Sequence, residues 1–195
     1  MNILTIDQNI LQAANSLLVG KSAIQDAVIK FCAEYLIYAL PVIMLVLWFV
    51  YKSDKFRKPL FLSFIGGVLA WFVITKSIVP HIWFRARPDL ALIGAKELLF
   101  HRPDYSFPSD HATMLFALVF GLYIFGWRKA ANWFLVYALV ITVARVAVGV
   151  HYPLDILAGA LSGFIGILII KLIQKFVIEY LFNPIVSILK IVRLA

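Results

Sequence analysis

Five apolar stretches, at about residues 25–51, 58–82, 109–127, 131–150 and 154–179, restrict this chain to few folds. Each is long enough, or nearly so, to cross about 30 Å of hydrocarbon as a helix. Lipid cannot satisfy free backbone N–H and C=O groups, so such stretches must be closed helices. Composition agrees: 63% of the 195 residues are hydrophobic and 14% charged, whereas soluble domains are about half apolar and a quarter charged. The expected fold is all-α, a polytopic membrane helical bundle of about five spans forming one domain over residues 1–195.

The connections give the orientation. Lys52, Lys55, Arg57 and Lys58 fill the first and Arg128 and Lys129 the third, while Lys171, Lys175, Lys190 and Arg193 follow or close the last span. Positive loops stay in the cytoplasm. Trp48, Tyr51, Trp127 and Trp133 flank the same side as an aromatic belt. The segment from about Trp83 to Phe107 and the turn at His151–Pro153 then lie on the opposite face, the outer one in a bacterium. That segment carries Arg85, Arg87 and Arg102 against the positive-inside trend, an exception that asks for a function.

Residues 3–18 set Ile6, Ile10, Leu11, Ala14, Leu17 and Leu18 against Asp7, Gln8 and Asn15 at helical spacing, the pattern of an amphipathic helix lying in the interface. Residues 181–195, too short and basic to cross, are read the same way on the inner side. No cleavable signal peptide is expected, because Asp7, Gln8 and Asn9 stand where its apolar core would be. The net charge of +8 sits in clusters between spans, where topology explains it without nucleic acid as a partner. The lone Cys32 excludes an intramolecular disulfide and reads as apolar filler.

Ionisable residues at membrane helix ends need a reason, since burying each costs a few kcal/mol unless it is paired or hydrated. Here they form three groups that the topology brings to one face: Phe84-Arg85-Ala86-Arg87-Pro88, Phe107-Pro108-Ser109-Asp110-His111, and Arg145-x5-His151-x3-Asp155. Pro153 suits the first turn of a helix, and the four-residue spacing puts His151 and Asp155 on one side of it. A carboxylate so placed can keep one imidazole nitrogen protonated and leave the other free as nucleophile or base.

Ser109 or Asp110 can cap the helix that follows Pro108, whose N-terminus is a natural phosphate seat with His111 beside it as proton donor. Arg85, Arg87 and Arg145 can grip phosphoryl oxygens in pairs. Singly, each residue has a plainer reading: an interfacial histidine, a snorkelling arginine, a capping serine, a first-turn aspartate. Together they are hard to attribute to capping. His81 and His101 match no spacing and are left as interface residues. His111, His151 and Asp155 could in principle ligate a metal, but the clustered arginines would repel a cation.

In this order the groups resemble the signature of the type 2 phosphatidic acid phosphatase superfamily: Lys-x6-Arg-Pro, Pro-Ser-Gly-His and Ser-Arg-x5-His-x3-Asp, on a bundle shared with vanadium haloperoxidases. The match spans about residues 76 to 155. The resemblance implies His151 as nucleophile, Asp155 as its partner, His111 as acid, and Arg87, Arg145 and Ser109 as phosphate ligands, with no cofactor and no metal. Three positions depart from it. The motif Lys falls at Pro80, leaving Lys76, one turn earlier, to reach in its place; the motif Gly is Asp110; the Ser before Arg145 is Ala144.

Pro-Ser-Asp-His followed by Val-Gly-Val-His-Tyr-Pro-Leu-Asp is similar to the bacterial undecaprenyl-diphosphate phosphatases of this superfamily. These recycle the lipid carrier of cell-wall synthesis at the outer face of the cytoplasmic membrane. The implied substrate is a polyprenyl diphosphate; the same chemistry on phosphatidylglycerophosphate, phosphatidate or a lipid A phosphate is the alternative. A lipid-phosphate carrier without enzymatic activity is the reading of another class. The implied site residues are thus His151, His111 and Asp155 for catalysis, and Arg87, Arg145, Ser109, Asp110, Arg85 and Lys76 for substrate.

Overall fold

Apolar sequence and serine caps set the helices of the computed structural model, which describes residues 2–99 and 104–191. Helix α1 is Ile3–Leu18 and α2 is Ala23–Glu34, opened by the Ser22 hydroxyl accepting from the Gln25 N–H at 3.2 Å. A 3₁₀ turn leads into α3, Ala39–Val50. Helix α4, Asp54–Leu69, runs through a π-helical stretch at Ala70–Ile78 into the short α5, Val79–Ile82. Then come α6, Asp110–Ile124; α7, Arg128–Ala147; and α8, Pro153–Val177, which continues through a second π stretch into α9, Asn183–Ile191. Both π stretches run up to a proline, Pro80 or Pro184, whose missing N–H leaves a carbonyl of the preceding turn to be re-paired. No strand forms among the described residues; the one extended contact is an antiparallel bridge between Ala86 and Tyr105.

The chain is an all-helical, multi-pass membrane protein. Asp54–Ile82, Arg128–Ala147 and Pro153–Ile191 are each long and apolar enough to cross a bilayer, and the α2–α3 pair, bent by 45°, makes a fourth if counted as one span. The expected stretch at 109–127 becomes α6, only 15 residues long, or about 22 Å at 1.5 Å per residue. It is also central: α4, α7 and α8 surround it, and Leu115, Leu118 and Leu122 are fully buried. Residues 183–191 do not lie apart as an interfacial helix; they prolong α8, with Val186 buried. Arg193 lies outside the described residues.

Two glycines bring α8 against α6. A Cβ on Gly159 would stand 2.6 Å from the Ser109 carbonyl, and one on Gly163 2.6 Å from that of Thr113. Only glycine permits such an approach, and it lets the Ser109 N–H donate to the Asp155 carbonyl at 3.0 Å. The second and third sequence groups are therefore joined by backbone as well as by side chains.

Helix α1 is amphipathic as expected, but its polar stripe faces inward. Asp7 and Asn15 are buried beside Leu11, while Ile3, Ile6, Ile10 and Leu17 are exposed. Asn15 donates to the carbonyls of Lys96 and Ala147 at 2.9 and 2.8 Å and accepts the Lys96 N–H at 2.9 Å. In a lipid interface the apolar stripe has a solvent outside the protein, and the polar stripe finds its partners on the loop and helix ends beneath.

Candidate active site

The turn between α7 and α8 delivers the central histidine. Gly149 takes φ +74°, a left-handed conformation that suits glycine, and a Cβ there would meet the Leu90 side chain at 2.3 Å. His151 follows, 3% exposed. Its Nδ1 lies 2.9 Å from the Ser106 carbonyl, which can only accept, so the proton sits on Nδ1 and Nε2 keeps its lone pair. Asp155 is behind it, with Oδ2 at 3.6 Å from Nδ1, an ion-pair distance rather than a hydrogen bond. Burial pushes the His151 pKa down to about 4, with Arg145 and Arg87 adding to the shift and Asp155 opposing it. The ring is neutral at physiological pH.

Arg145, in the last turn of α7 and 6% exposed, bridges the two histidines of the signature. One terminal nitrogen lies 3.3 Å from His151 Nε2; the other lies 3.4 Å from His111 Nε2 and donates to the Ala33 carbonyl at 2.8 Å. Two imidazole Nε2 atoms thus converge on one guanidinium, an arrangement able to place an oxyanion between a nucleophile and a proton donor.

Ser109, fully buried, caps α6: its hydroxyl accepts the Ala112 N–H at 3.5 Å. Asp110 holds Lys76 in an ion pair at 2.6 Å, and Lys76 also donates to the Tyr105 hydroxyl at 3.3 Å. Lys76, one helical turn from the motif position, is thus held by the carboxylate that stands where the motif has glycine.

The two arginines of the first group part company. Arg87 donates to the Val150 carbonyl at 2.7 Å and pairs through its side with the Asp104 carboxylate, beside the histidine turn. Arg85 points to two carboxylates, Asp155 at 3.0 Å and Asp7 at 2.5 Å, with its guanidinium 3.8 Å over the Tyr152 ring. It stands behind Asp155, so its visible task is to hold that carboxylate.

Sequence reasoning missed Ser106, Asp7 and Asp104. A backbone carbonyl such as that of Ser106 leaves no trace in residue type. Asp7 and Asp104 carried the signal of a carboxylate in or beside an arginine-bearing face, without a spacing that named the partner. His81 bonds the Ser77 carbonyl through Nδ1 at 2.7 Å, away from the cluster; His101 and Arg102 lie outside the described residues. Among the described residues no group of three or more His, Cys, Asp or Glu side chains is arranged to hold a metal. A cavity of 730 Å³ lined by Leu47, Trp127 and Trp133 touches no site residue, whereas one of 340 Å³ lined by Ile3, Leu4, Trp83, Phe107 and Leu157 borders Arg85.

Comparison with known proteins gives the family. Residues 60–179 match the PAP2 superfamily. The bacitracin transport permease protein BcrC of Bacillus licheniformis is 34% identical over 74% of this chain and 70% of its own length. The putative undecaprenyl-diphosphatase YbjG of Escherichia coli K12 is 35% identical over 74% and 71% respectively. The crystal structure of Aquifex aeolicus LpxE superposes with a TM-score of 0.60 at 25% identity, covering 84% of this chain and 93% of that one. The chain belongs to the PAP2 superfamily.

Proposed function

We propose that this member of the PAP2 superfamily is a membrane phosphatase that hydrolyses undecaprenyl diphosphate to undecaprenyl phosphate through a phosphohistidine, at the outer face of the bacterial cytoplasmic membrane. The observation that carries the mechanism is the convergence of His151 Nε2 and His111 Nε2 on Arg145, at 3.3 and 3.4 Å. The likeness to YbjG supports the substrate.

The terminal phosphoryl group displaces these contacts and takes Arg145 and Arg87 as oxyanion ligands. The His151 Nε2 lone pair attacks phosphorus as the bond to the bridging oxygen breaks. His111, entering protonated, gives its proton to that oxygen, and undecaprenyl phosphate leaves. Water then attacks the phosphohistidine, His111 takes its proton, and the N–P bond breaks to release inorganic phosphate and neutral His151. Throughout, Nδ1–H stays on the Ser106 carbonyl, and Asp155 offsets the positive charge that develops on the ring. Charge neutralisation and in-line positioning supply most of the acceleration, as in phosphoryl transfer generally. No step uses a metal. The apolar cavity bordered by Arg85 offers room for the first isoprene units beside α1 and α8.

Phosphate release by the purified protein in detergent with excess EDTA tests this reading, with undecaprenyl diphosphate, phosphatidate and phosphatidylglycerophosphate compared. Chelator-resistant release strongest on the polyprenyl diphosphate is expected. Faster release from a glycerolipid would move the enzyme to phospholipid metabolism, and release abolished by EDTA would defeat the metal-free mechanism.

A further inference from the structure

The Asp7 carboxylate takes no part in the steps above, yet it is 2% exposed and both of its oxygens are engaged. Oδ1 accepts the Leu154 N–H at 2.9 Å and Oδ2 accepts from Arg85 at 2.5 Å. The other arm of Arg85 reaches Asp155 Oδ1 at 3.0 Å. Asp155 Oδ2 accepts the Tyr152 N–H at 2.8 Å and stands 3.6 Å from His151 Nδ1. Asp7, Arg85, Asp155 and the imidazole therefore form one series of alternating charge that ends at the ring proposed to attack phosphorus.

The alternation has an electrostatic consequence. Arg85 alone beside Asp155 would cancel much of the negative potential that the carboxylate projects onto His151. With Asp7 on its far side, Arg85 is neutralised twice, and the three groups together carry one net negative charge. In a buried setting such an offset is weakly screened. Helix α1 is docked along its length by Asn15 and Gln12 as well as by the Leu154 N–H, and the bond to Arg85 adds a counter-charge at the point nearest Asp155.

We infer that Asp7 is a positioning residue for the His151–Asp155 pair: it holds Arg85 and offsets its charge, leaving the Asp155 carboxylate free to stabilise positive charge on His151 as the N–P bond forms. The inference rests on the reading of His151 as nucleophile. Asp7 lies outside the residues matched to the superfamily, 60–179, so this support comes from the N-terminal helix.

The test is Asp7→Asn, which keeps an acceptor for the Leu154 N–H and removes the charge. The charged groups around His151 are Arg145, Arg87 and Asp155, with Arg85 and Asp7 behind Asp155. Less negative potential at the ring both disfavours its charged form and weakens transition-state stabilisation. The expected result is a kcat lower by about tenfold, an unchanged KM, and an acid limb of kcat/KM displaced to lower pH. Asp7→Glu restores part of both. Asp7→Asn combined with Arg85→Gln removes the offending cation too and brings the acid limb back; this pair carries the test if Asp7→Asn alone does not fold. Gln12→Ala, which loses an α1 contact to the Ile93 carbonyl, leaves kcat and the limb as in the wild type. A wild-type kcat and pH profile in Asp7→Asn, or an unmoved limb with activity lost only in step with folded protein, overturns the inference. His151→Ala run in parallel separates the two ideas: activity in that variant defeats the nucleophile reading itself.

Discussion

The His151 ring gives its Nδ1 proton to the backbone carbonyl of Ser106 at 2.9 Å, while the Asp155 carboxylate stands off at 3.6 Å. Orientation and charge compensation are thus divided between two groups that a histidine–aspartate pair usually combines. Asp155→Asn should therefore keep the correct tautomer. We predict a fall in kcat of about 10–100-fold, against complete loss in His151→Ala. Phosphate release under saturating substrate decides; equal loss in the two variants would mean that the carbonyl does not hold the ring.

Arg87 meets Asp104 and the Val150 carbonyl through separate edges of its guanidinium. A lysine offers a point charge and cannot serve both while also holding phosphate. Arg87→Lys is expected to lose at least about tenfold in kcat/KM, since a lost charge-assisted hydrogen bond is worth roughly 1.5–3 kcal/mol. Asp104→Asn, which removes a competitor for that cation, should lower KM. An unchanged KM in Asp104→Asn would show that the two anions do not compete.

His151 also links stability to pH. Its pKa is about 4 in the folded protein against an ordinary 6.5. Between those values the unfolded chain binds a proton that the folded chain refuses, so this contribution is intact above 6.5 and is lost as pH falls toward 4. Melting temperature in detergent should drop across that window, and His151→Gln should flatten the drop. An identical slope in both proteins would assign the acid sensitivity elsewhere.

At Gly163 a Cβ would stand 2.6 Å from the Thr113 carbonyl and 2.8 Å from the Ala117 N, both backbone atoms. Gly163→Ala must push α8 off α6, at a cost of about 1–3 kcal/mol. The variant should melt earlier and lose activity together, because the same contact carries Asp155 alongside Ser109. Full activity with a lowered melting temperature would show that the site tolerates the shift.

The three blocks around Arg87, His111 and His151 were legible because side-chain chemistry at fixed spacing survives in sequence. The membrane class was legible from apolar length. Less was visible of what supports the blocks. The Ser106 carbonyl is chemically the same as any other. The inward polar face of α1 has the same periodicity as an outward one, and only the lipid around it decides which stripe is buried. Arg85 and Arg87 look equivalent two residues apart, and an extended backbone alone would leave them on one side; the partners decide, Asp155 and Asp7 holding the first and Asp104 the second. Asp110 reads as an intruder at an anion site until Lys76 is found 2.6 Å away.

The docking of α1 has a consequence for how the protein is made. Asp7 and Asn15 leave the ribosome well before Leu154 and Ala147, to which they bond and which lie 147 and 132 positions further on. At ordinary synthesis rates the helix waits on the order of ten seconds for its seat, resting on the bilayer by its isoleucines and leucines with its polar side wet. The support behind Asp155 is then completed by an early segment only after a much later one has been inserted. Nascent chains halted before Leu154 should leave α1 open to protease, and longer ones should protect it; early protection would mean that the helix finds another resting place first.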